Sequence, residues 1–191
     1  MGTLMESWPR RHRITVDEYY RMAEVGLLAP DARVELIEGE IIDMAPIGSE
    51  HGGVVDLLNR SLTRAVGDRA IVRVQGAIRL SPVTEPEPDV ALLKPRADFY
   101  RHEHPTGGDV LLVIEVSDST LRYDRDIKVP LYARHGVPEV WIVDLQDNRL
   151  LTYASPIDGE YERRNAAAEP GLTPMAALPD VAVDLSGLLR P

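Results

Sequence analysis

From residue 54 to residue 66 the apolar side chains Val54, Val55, Leu58, Leu62, Ala65 and Val66 recur at helical spacing, with Arg60 and Arg64 on the polar side and Gly67 following. This pattern predicts an amphipathic helix. Immediately afterwards the period changes. Between Ile71 and Leu80, Val72, Val74, Ile78 and Leu80 alternate with Arg73, Gln75 and Arg79, which predicts a long strand with one basic face, bulged or bent at Gly76. Upstream, Thr15-Val16-Asp17-Glu18 has a capping-box arrangement and Gly26 a stop, so a short helix is expected over about residues 16 to 25. Val34 to Ile37 and Glu40 to Asp43 flank Glu38-Gly39 and predict a hairpin, with Glu35 inside a strand.

Further along, Asp89 to Leu93 and Val110 to Ser117 read as buried strands, the second an almost unbroken apolar run interrupted by Glu115. A helix is expected from about Ile127 to His135, closed by Gly136 and either starting near Pro130 or kinked by it. Val140 to Val143 is the next strand, and Leu150 to Tyr153 follows through the Asp147-Asn148 turn. Glu85-Pro86-Glu87-Pro88 and the alanine-rich tail from about Asn165 read as connectors. The order is mixed α and β, with a helix crossing between two buried strands of one sheet. A flexible segment over residues 1–13 followed by one domain over residues 14–191 is the expected organisation.

Composition narrows the class. A chain of 191 residues with 44% apolar positions can bury the core of one domain. The absence of cysteine excludes disulfides, thiolate metal sites and a cysteine nucleophile, and is compatible with a reducing cytoplasm. No run approaches the roughly 20 apolar residues of a spanning helix, and the N-terminus is polar, so neither a membrane anchor nor secretion is expected. The net charge of −10 opposes long-range, nonspecific attraction to nucleic acid. Residues 55–80 run against that trend, with Arg60, Arg64, Arg69, Arg73 and Arg79 against Asp56 and Asp68. Five minus two leaves a local +3, which suits a phosphate backbone, although a solvated, salt-bridged face is the simpler account.

Several polar residues stand where chemistry is affordable only with partners. Glu115 interrupts an apolar strand, and an ionised carboxylate there requires a cation or hydrogen-bond donors. Asp89 opens its own strand after Pro88; it is a turn residue or, if its strand neighbours that of Glu115, one of two carboxylates converging on a hard divalent cation such as Mg²⁺ or Mn²⁺. Glu35 either completes that acidic cluster from the hairpin or is an ordinary surface glutamate. Lys128, with Asp124 four residues before it and Tyr132 four after, is either solvated or paired with Asp124, or points over the sheet edge toward water and phosphate. His51 is a helix-start polar residue or a substrate contact. Trp141, Tyr153, Tyr19 and Tyr20 read as core or interface material.

Taken together, Val34-Glu35-Leu36-Ile37-Glu38-Gly39-Glu40, Ser49-Glu50-His51, Glu87-Pro88-Asp89, Val113-Ile114-Glu115-Val116-Ser117, Asp124 with Lys128, and the run from Tyr132 to Asp144 resemble the Uma-two family of restriction-endonuclease-like proteins. The resemblance covers about residues 14 to 155. It implies a PD-(D/E)XK nuclease-like fold, a mixed central sheet flanked by helices with carboxylates at one end. Asp89 then corresponds to the motif aspartate, Glu115 to the second acidic ligand and Glu35 to an additional glutamate. Ser117 stands where the wider superfamily has its lysine, and the resemblance implies that Lys128 supplies the amine from the following helix.

The function so implied is metal-dependent hydrolysis of DNA phosphodiester bonds. Asp89 and Glu115 would hold Mg²⁺ or Mn²⁺, Lys128 would position or activate water, and Glu35 would assist, with His51, Ser117, Asp124 and Tyr132 as subsidiary candidates. Many restriction-like nucleases resemble twofold dimers, so a homodimer is among the assemblies to expect. The rival from a different class is a catalytically silent nuclease fold kept as a binding or interaction module. A third reading is a hydrolase using the same metal site on another phosphodiester. No base-reading motif is visible, so sequence preference on DNA is not legible.

Overall fold

A computed structural model describes residues 11–189; most of the expected flexible segment, residues 1–10, lies outside the described residues. The chain divides into two compact units, Met1–Met44 with Ser81–Glu85, and Ala45–Leu80 with Pro86–Pro191.

In the first unit, α1 (Val16–Glu24) begins with the predicted capping box: Glu18 N–H donates to Thr15 Oγ1 at 3.2 Å, and Thr15 N–H donates to Glu18 Oε2 at 2.8 Å. β1 (Val34–Ile37) and β2 (Glu40–Asp43) form the expected antiparallel hairpin. Its turn holds Glu38 and Gly39 at φ of 51° and 83°, the left-handed pair that matches strand twist in a two-residue loop. Glu85 N–H donates to Leu36 O at 2.7 Å, and Tyr20 OH donates to Glu85 Oε1 at 2.6 Å. Tyr19 OH is likewise engaged, by Val34 O at 2.9 Å.

In the second unit, α2 (Ser49–Val66) starts five residues earlier than the apolar pattern indicated. Gly52 and Gly53 are weak helix formers, but burial of Val55, Leu58, Leu62 and Val66 overrides local propensity. His51 consequently lies inside the first turn of α2 and not ahead of it. The long strand expected over 71–80 is also corrected. β3 (Ile71–Val74) stops where Gln75 takes φ 46° ahead of Gly76. The basic stretch of residues 55–80 is partly committed at home: Arg69 donates to the carbonyls of Val66 and Ala65, and Arg73 lies 5.6 Å from the Tyr100 ring and donates to Phe99 O.

β4 (Val90–Leu93) and β5 (Val110–Ser117) follow the sequence reading closely. The next helix does not. It runs from residue 121 to residue 134 as α3 (Leu121–Tyr123), a π-helical turn Asp124–Lys128, and α4 (Val129–Arg134). Pro130 has no N–H for the carbonyl four residues back, and its ring crowds that carbonyl. The π turn opens the helix at this point, with Val129 N–H donating to Asp124 O, so the proline sits within the helix without ending it. Lys128 is thus mid-helix.

β6 (Glu139–Asp144), β7 (Arg149–Ile157) and β8 (Glu160–Ala167) complete a six-stranded sheet of order β3-β4-β5-β6-β7-β8. Only β5 and β6 pair in parallel, as the crossing helix between them requires. The tail is no connector: β9 (Leu172–Met175) and β10 (Leu178–Asp184) form a second hairpin. Its Met175, Val181 and Val183 join one core with α2 and the sheet residues Val90, Leu112, Ile114, Val116, Trp141 and Val143. On the opposite face, Ala91, Leu93, Val113 and Ile142 pack with Val129, Tyr132 and Ala133. Strand alternation places Glu115 and Ser117 on this second face. None of the described helices is long and apolar enough to cross a membrane.

One buried acid fastens the tail hairpin. Glu139 accepts from Trp141 Nε1–H at 2.8 Å and from Ala176 N–H at 2.7 Å. Burial pushes its carboxyl above the ordinary 4.5, against the pull of those donors. A raised folded-state value contributes stability below the unfolded pKa, and that contribution is lost as pH rises through the folded one. Calorimetric melting from acid to neutral pH should therefore show this part of the decline in wild type and its loss in Glu139→Gln. Parallel pH profiles for the two proteins would contradict the assignment.

Candidate active site

Asp89 stands one residue before β4, held between two strands. Gln75 N–H donates to its carbonyl at 3.0 Å, and continuing the Val90↔Ile114 register by one residue puts Asp89 across from Glu115. Opposed residues of an antiparallel pair project to the same face, so both carboxylates leave the sheet on the α4 side. Asp89 Oδ2 accepts from Val116 N–H at 2.8 Å and meets His51 Nε2 at 3.1 Å. Its Oδ1 takes no hydrogen bond from the described residues.

Glu115 is 3% exposed, and its charge is compensated from the helix. Lys128 Nζ lies 2.9 Å from Glu115 Oε1, and Tyr132 OH donates to the same oxygen at 2.7 Å. Lys128 is itself 3% exposed. The sequence left Lys128 solvated, paired with Asp124, or turned over the sheet; the cation is enclosed and turned to the strand glutamate. Desolvating two such charges is costly unless they pair closely and with further hydrogen bonds, which this geometry supplies.

Asp124, one turn earlier, is 5% exposed. Its Oδ2 accepts from Ser117 Oγ at 2.7 Å and from Thr120 Oγ1 at 2.6 Å. Burial pushes this carboxyl up, the Lys128 charge and the two hydroxyls draw it down, and the Asp89 charge adds to the upward push.

Three linked groups result: His51 with Asp89, Lys128 and Tyr132 with Glu115, and Ser117 and Thr120 with Asp124. All lie in the second unit. Glu35 belongs to the first, where it is buried in β1. Thr120 is the member that sequence reasoning missed; a hydroxyl at a helix N-cap position is its signal, although here it serves Asp124 and makes no cap hydrogen bond. A second signal also went unused. The chain has only two lysines, Lys94 and Lys128, against nineteen arginines, and one of the two is enclosed beside a strand glutamate.

The donor chemistry fits a hard divalent cation. Mg²⁺ typically takes one or two protein carboxylates and completes its shell with water and phosphate oxygens, and Asp89 and Glu115 offer a facing pair. The described residues contain no group of three or more His, Asp or Glu side chains arranged to hold an ion, so water and ligand oxygens would supply most of the coordination.

Comparison with known proteins agrees with this architecture. A crystal structure from Anabaena variabilis, described as "a putative nuclease belonging to DUF820", superposes with a TM-score of 0.68 at 17% identity, covering 92% of this chain and 97% of that one. At that identity the likeness establishes the fold. No curated protein sequence matches the chain. The model of the Uma2 family, described as "Putative restriction endonuclease", matches residues 16–186, from the first residue of α1 to just beyond β10. With a match of that extent, the chain belongs to the Uma2 family of restriction-endonuclease-like proteins.

Proposed function

We propose that this protein is a metal-dependent nuclease that hydrolyses phosphodiester bonds of DNA. The observation that carries the reading is the facing of Asp89 and Glu115 across β4 and β5, with the Lys128 ammonium 2.9 Å from the glutamate. The family description and the nuclease named in the structural comparison support it.

In this reading Asp89 and Glu115 hold Mg²⁺ or Mn²⁺, which when bound supplies positive charge at the scissile phosphate and acidifies a water. Hydrolysis adds the water oxygen to phosphorus and breaks the bond to the leaving oxygen, which takes up a proton. Lys128 presents a cation where negative charge develops on the phosphoryl oxygens. Val116 N–H and His51 fix the orientation of Asp89, and Tyr132 that of Glu115, the outer hydrogen bonds that keep ligands aimed. The net charge of −10 favours the rival, a binding module without turnover.

The test is incubation of supercoiled plasmid and oligonucleotide DNA with the purified protein and Mg²⁺ or Mn²⁺. The proposal expects nicking or cleavage that a chelator stops and added metal restores. Metal binding without cleavage would favour the rival, and cleavage indifferent to chelation would contradict the metal assignment.

A further inference from the structure

We propose that Phe99 is a stacking platform for an unpaired base of the DNA substrate, set beside a cleft at the edge of the sheet. The proposal rests on the nuclease reading and deepens it: the substrate is DNA with unpaired nucleotides, a single strand or a frayed or looped-out segment.

Phe99 is the only phenylalanine in the chain, and it is 60% exposed. Its backbone lies at φ 52°, followed by Tyr100 at φ 57°. That region favours glycine, and a side chain persists there only where surrounding contacts hold it. The holding contacts run through Tyr100 and the Phe99 backbone. Tyr100 is 6% exposed, its hydroxyl donates to Lys94 O at 2.9 Å, and the Arg73 and Arg96 guanidinium carbons lie 5.6 and 4.9 Å from its ring centroid. Phe99 N–H donates to Arg96 O at 3.0 Å, and Phe99 O accepts from Arg73 at 3.3 Å. Burial of Tyr100 accounts for the shape of the turn. It does not account for a large apolar ring kept in water at the tip, where glycine would be less strained.

The ring lines a cleft of about 590 Å³ with Val66, Ala70, Ile71, Val72 and Pro95, between the end of α2 and the edge strand β3. β3 leads from this cleft to the candidate active site, because Gln75, just after the strand, donates its N–H to Asp89 O. Val72 and Ile71 stand three and four residues before Gln75, which is about 10–14 Å of strand, or roughly three to four nucleotides of stacked DNA. A strand whose scissile phosphate sits at Asp89 therefore reaches Phe99 within a few nucleotides. Residues 68–73 and 94–103, which supply most of the lining, carry five lysines and arginines against three acids, a local +2 in a chain of −10. An aromatic face among cations suits an unpaired strand, whose bases offer π-faces and whose phosphates meet the positive charge. In a duplex those base faces are already covered by their neighbours.

Biosynthetic incorporation of 4-fluorophenylalanine places one ¹⁹F resonance in the protein, at Phe99. The labelled protein is titrated with a single-stranded oligonucleotide and with a blunt hairpin duplex, with Ca²⁺ in place of Mg²⁺ to hold the DNA uncleaved, and binding is followed in parallel by fluorescence anisotropy. The single strand should shift the resonance and the duplex should not. Phe99→Gly should melt near the wild-type temperature and bind the single strand about tenfold or more weakly, and Phe99→Tyr should restore binding. Should Phe99→Gly fail to fold, the ¹⁹F shift and Phe99→Tyr carry the comparison. Single-strand binding with the resonance unmoved, or with Phe99→Gly equal to wild type, would overturn the platform alone, as would equal shifts from strand and duplex. Self-association that Phe99→Gly abolishes without weakening DNA binding would assign the ring to contact between copies and likewise overturn it. No binding of either DNA by wild type would defeat the nuclease reading and this proposal with it, and the anisotropy tells the two failures apart.

Discussion

Asp89→Asn is expected to lower metal-dependent DNA cleavage by on the order of a thousandfold or more, while leaving the folded protein close to its original stability. The substitution keeps the shape and an oxygen that can still accept from Val116 N–H, which Asp89 Oδ2 does at 2.8 Å. What it removes is the negative charge offered to the cation. A bound metal contributes several kcal/mol of transition-state charge stabilisation, and each 1.36 kcal/mol is about a factor of ten in rate. The small structural cost follows from position: Asp89 lies at a strand end, outside both apolar cores. Rates from single-turnover cleavage, compared with unfolding in urea, check both halves. A variant that unfolds as easily as it loses activity would show Asp89 to be structural, and a variant that cleaves normally would remove it from the site.

Lys128→Met should destabilise the protein by about 3–5 kcal/mol, the usual cost of stranding one member of a buried ion pair. Glu115 keeps the Tyr132 hydroxyl but loses the Lys128 ammonium, 2.9 Å from its Oε1, in surroundings where both side chains are almost wholly enclosed. Methionine fills the lysine stem's volume, so little of the loss comes from a cavity. The double variant Glu115→Gln/Lys128→Met should then be more stable than Lys128→Met alone, because no uncompensated charge stays behind. Guanidinium unfolding of wild type, both single variants and the double gives the coupling energy of the pair. Additive losses would mean that the two charges act independently of each other in the folded protein.

How much of this was legible before the structure depends on the range of the interaction that decides it. β5 could be read directly because both of its faces are covered and its apolar run is nearly continuous, which also made Glu115 conspicuous. The capping box of α1 and the β1–β2 turn are local and were visible for that reason. β8 was not: as an edge strand, its Glu160-Tyr161-Glu162-Arg163-Arg164 sequence buries only Tyr161 in that stretch, so no apolar run marks it. The β9–β10 hairpin hides behind Pro174 and Pro179, which an isolated two-stranded ladder tolerates and a central strand would not. Pro130 obscured the helix start, since only the three-dimensional fit of a π turn tells a kinked helix from a new one.

The site divides along the same line. Asp89, Glu115 and Lys128 were candidates from residue type, order and family resemblance. Their partners depend on strand register and helix rotation, which sequence spacing does not fix. The Ser117 to Asp124 contact spans seven residues across a strand end and a turn, and the local alternative, Lys128 with Asp124, had the better helical spacing. Both carboxylates are buried, but Asp124 already receives two hydroxyls, from Ser117 and Thr120, whereas Glu115 takes the Lys128 ammonium.

The central claim, that Asp89 and Glu115 take a divalent ion beside Lys128, is tested most directly by nuclear magnetic resonance of protein labelled with ¹³C and ¹⁵N only at its two lysines. Paramagnetic Mn²⁺ broadens signals steeply with proximity. Substoichiometric Mn²⁺ should broaden the Lys128 resonances while those of Lys94, beyond the far end of β4 from Asp89, stay sharp, and Asp89→Asn should abolish the difference. Equal broadening of both lysines, or selective broadening of Lys128 that persists in Asp89→Asn, would contradict it.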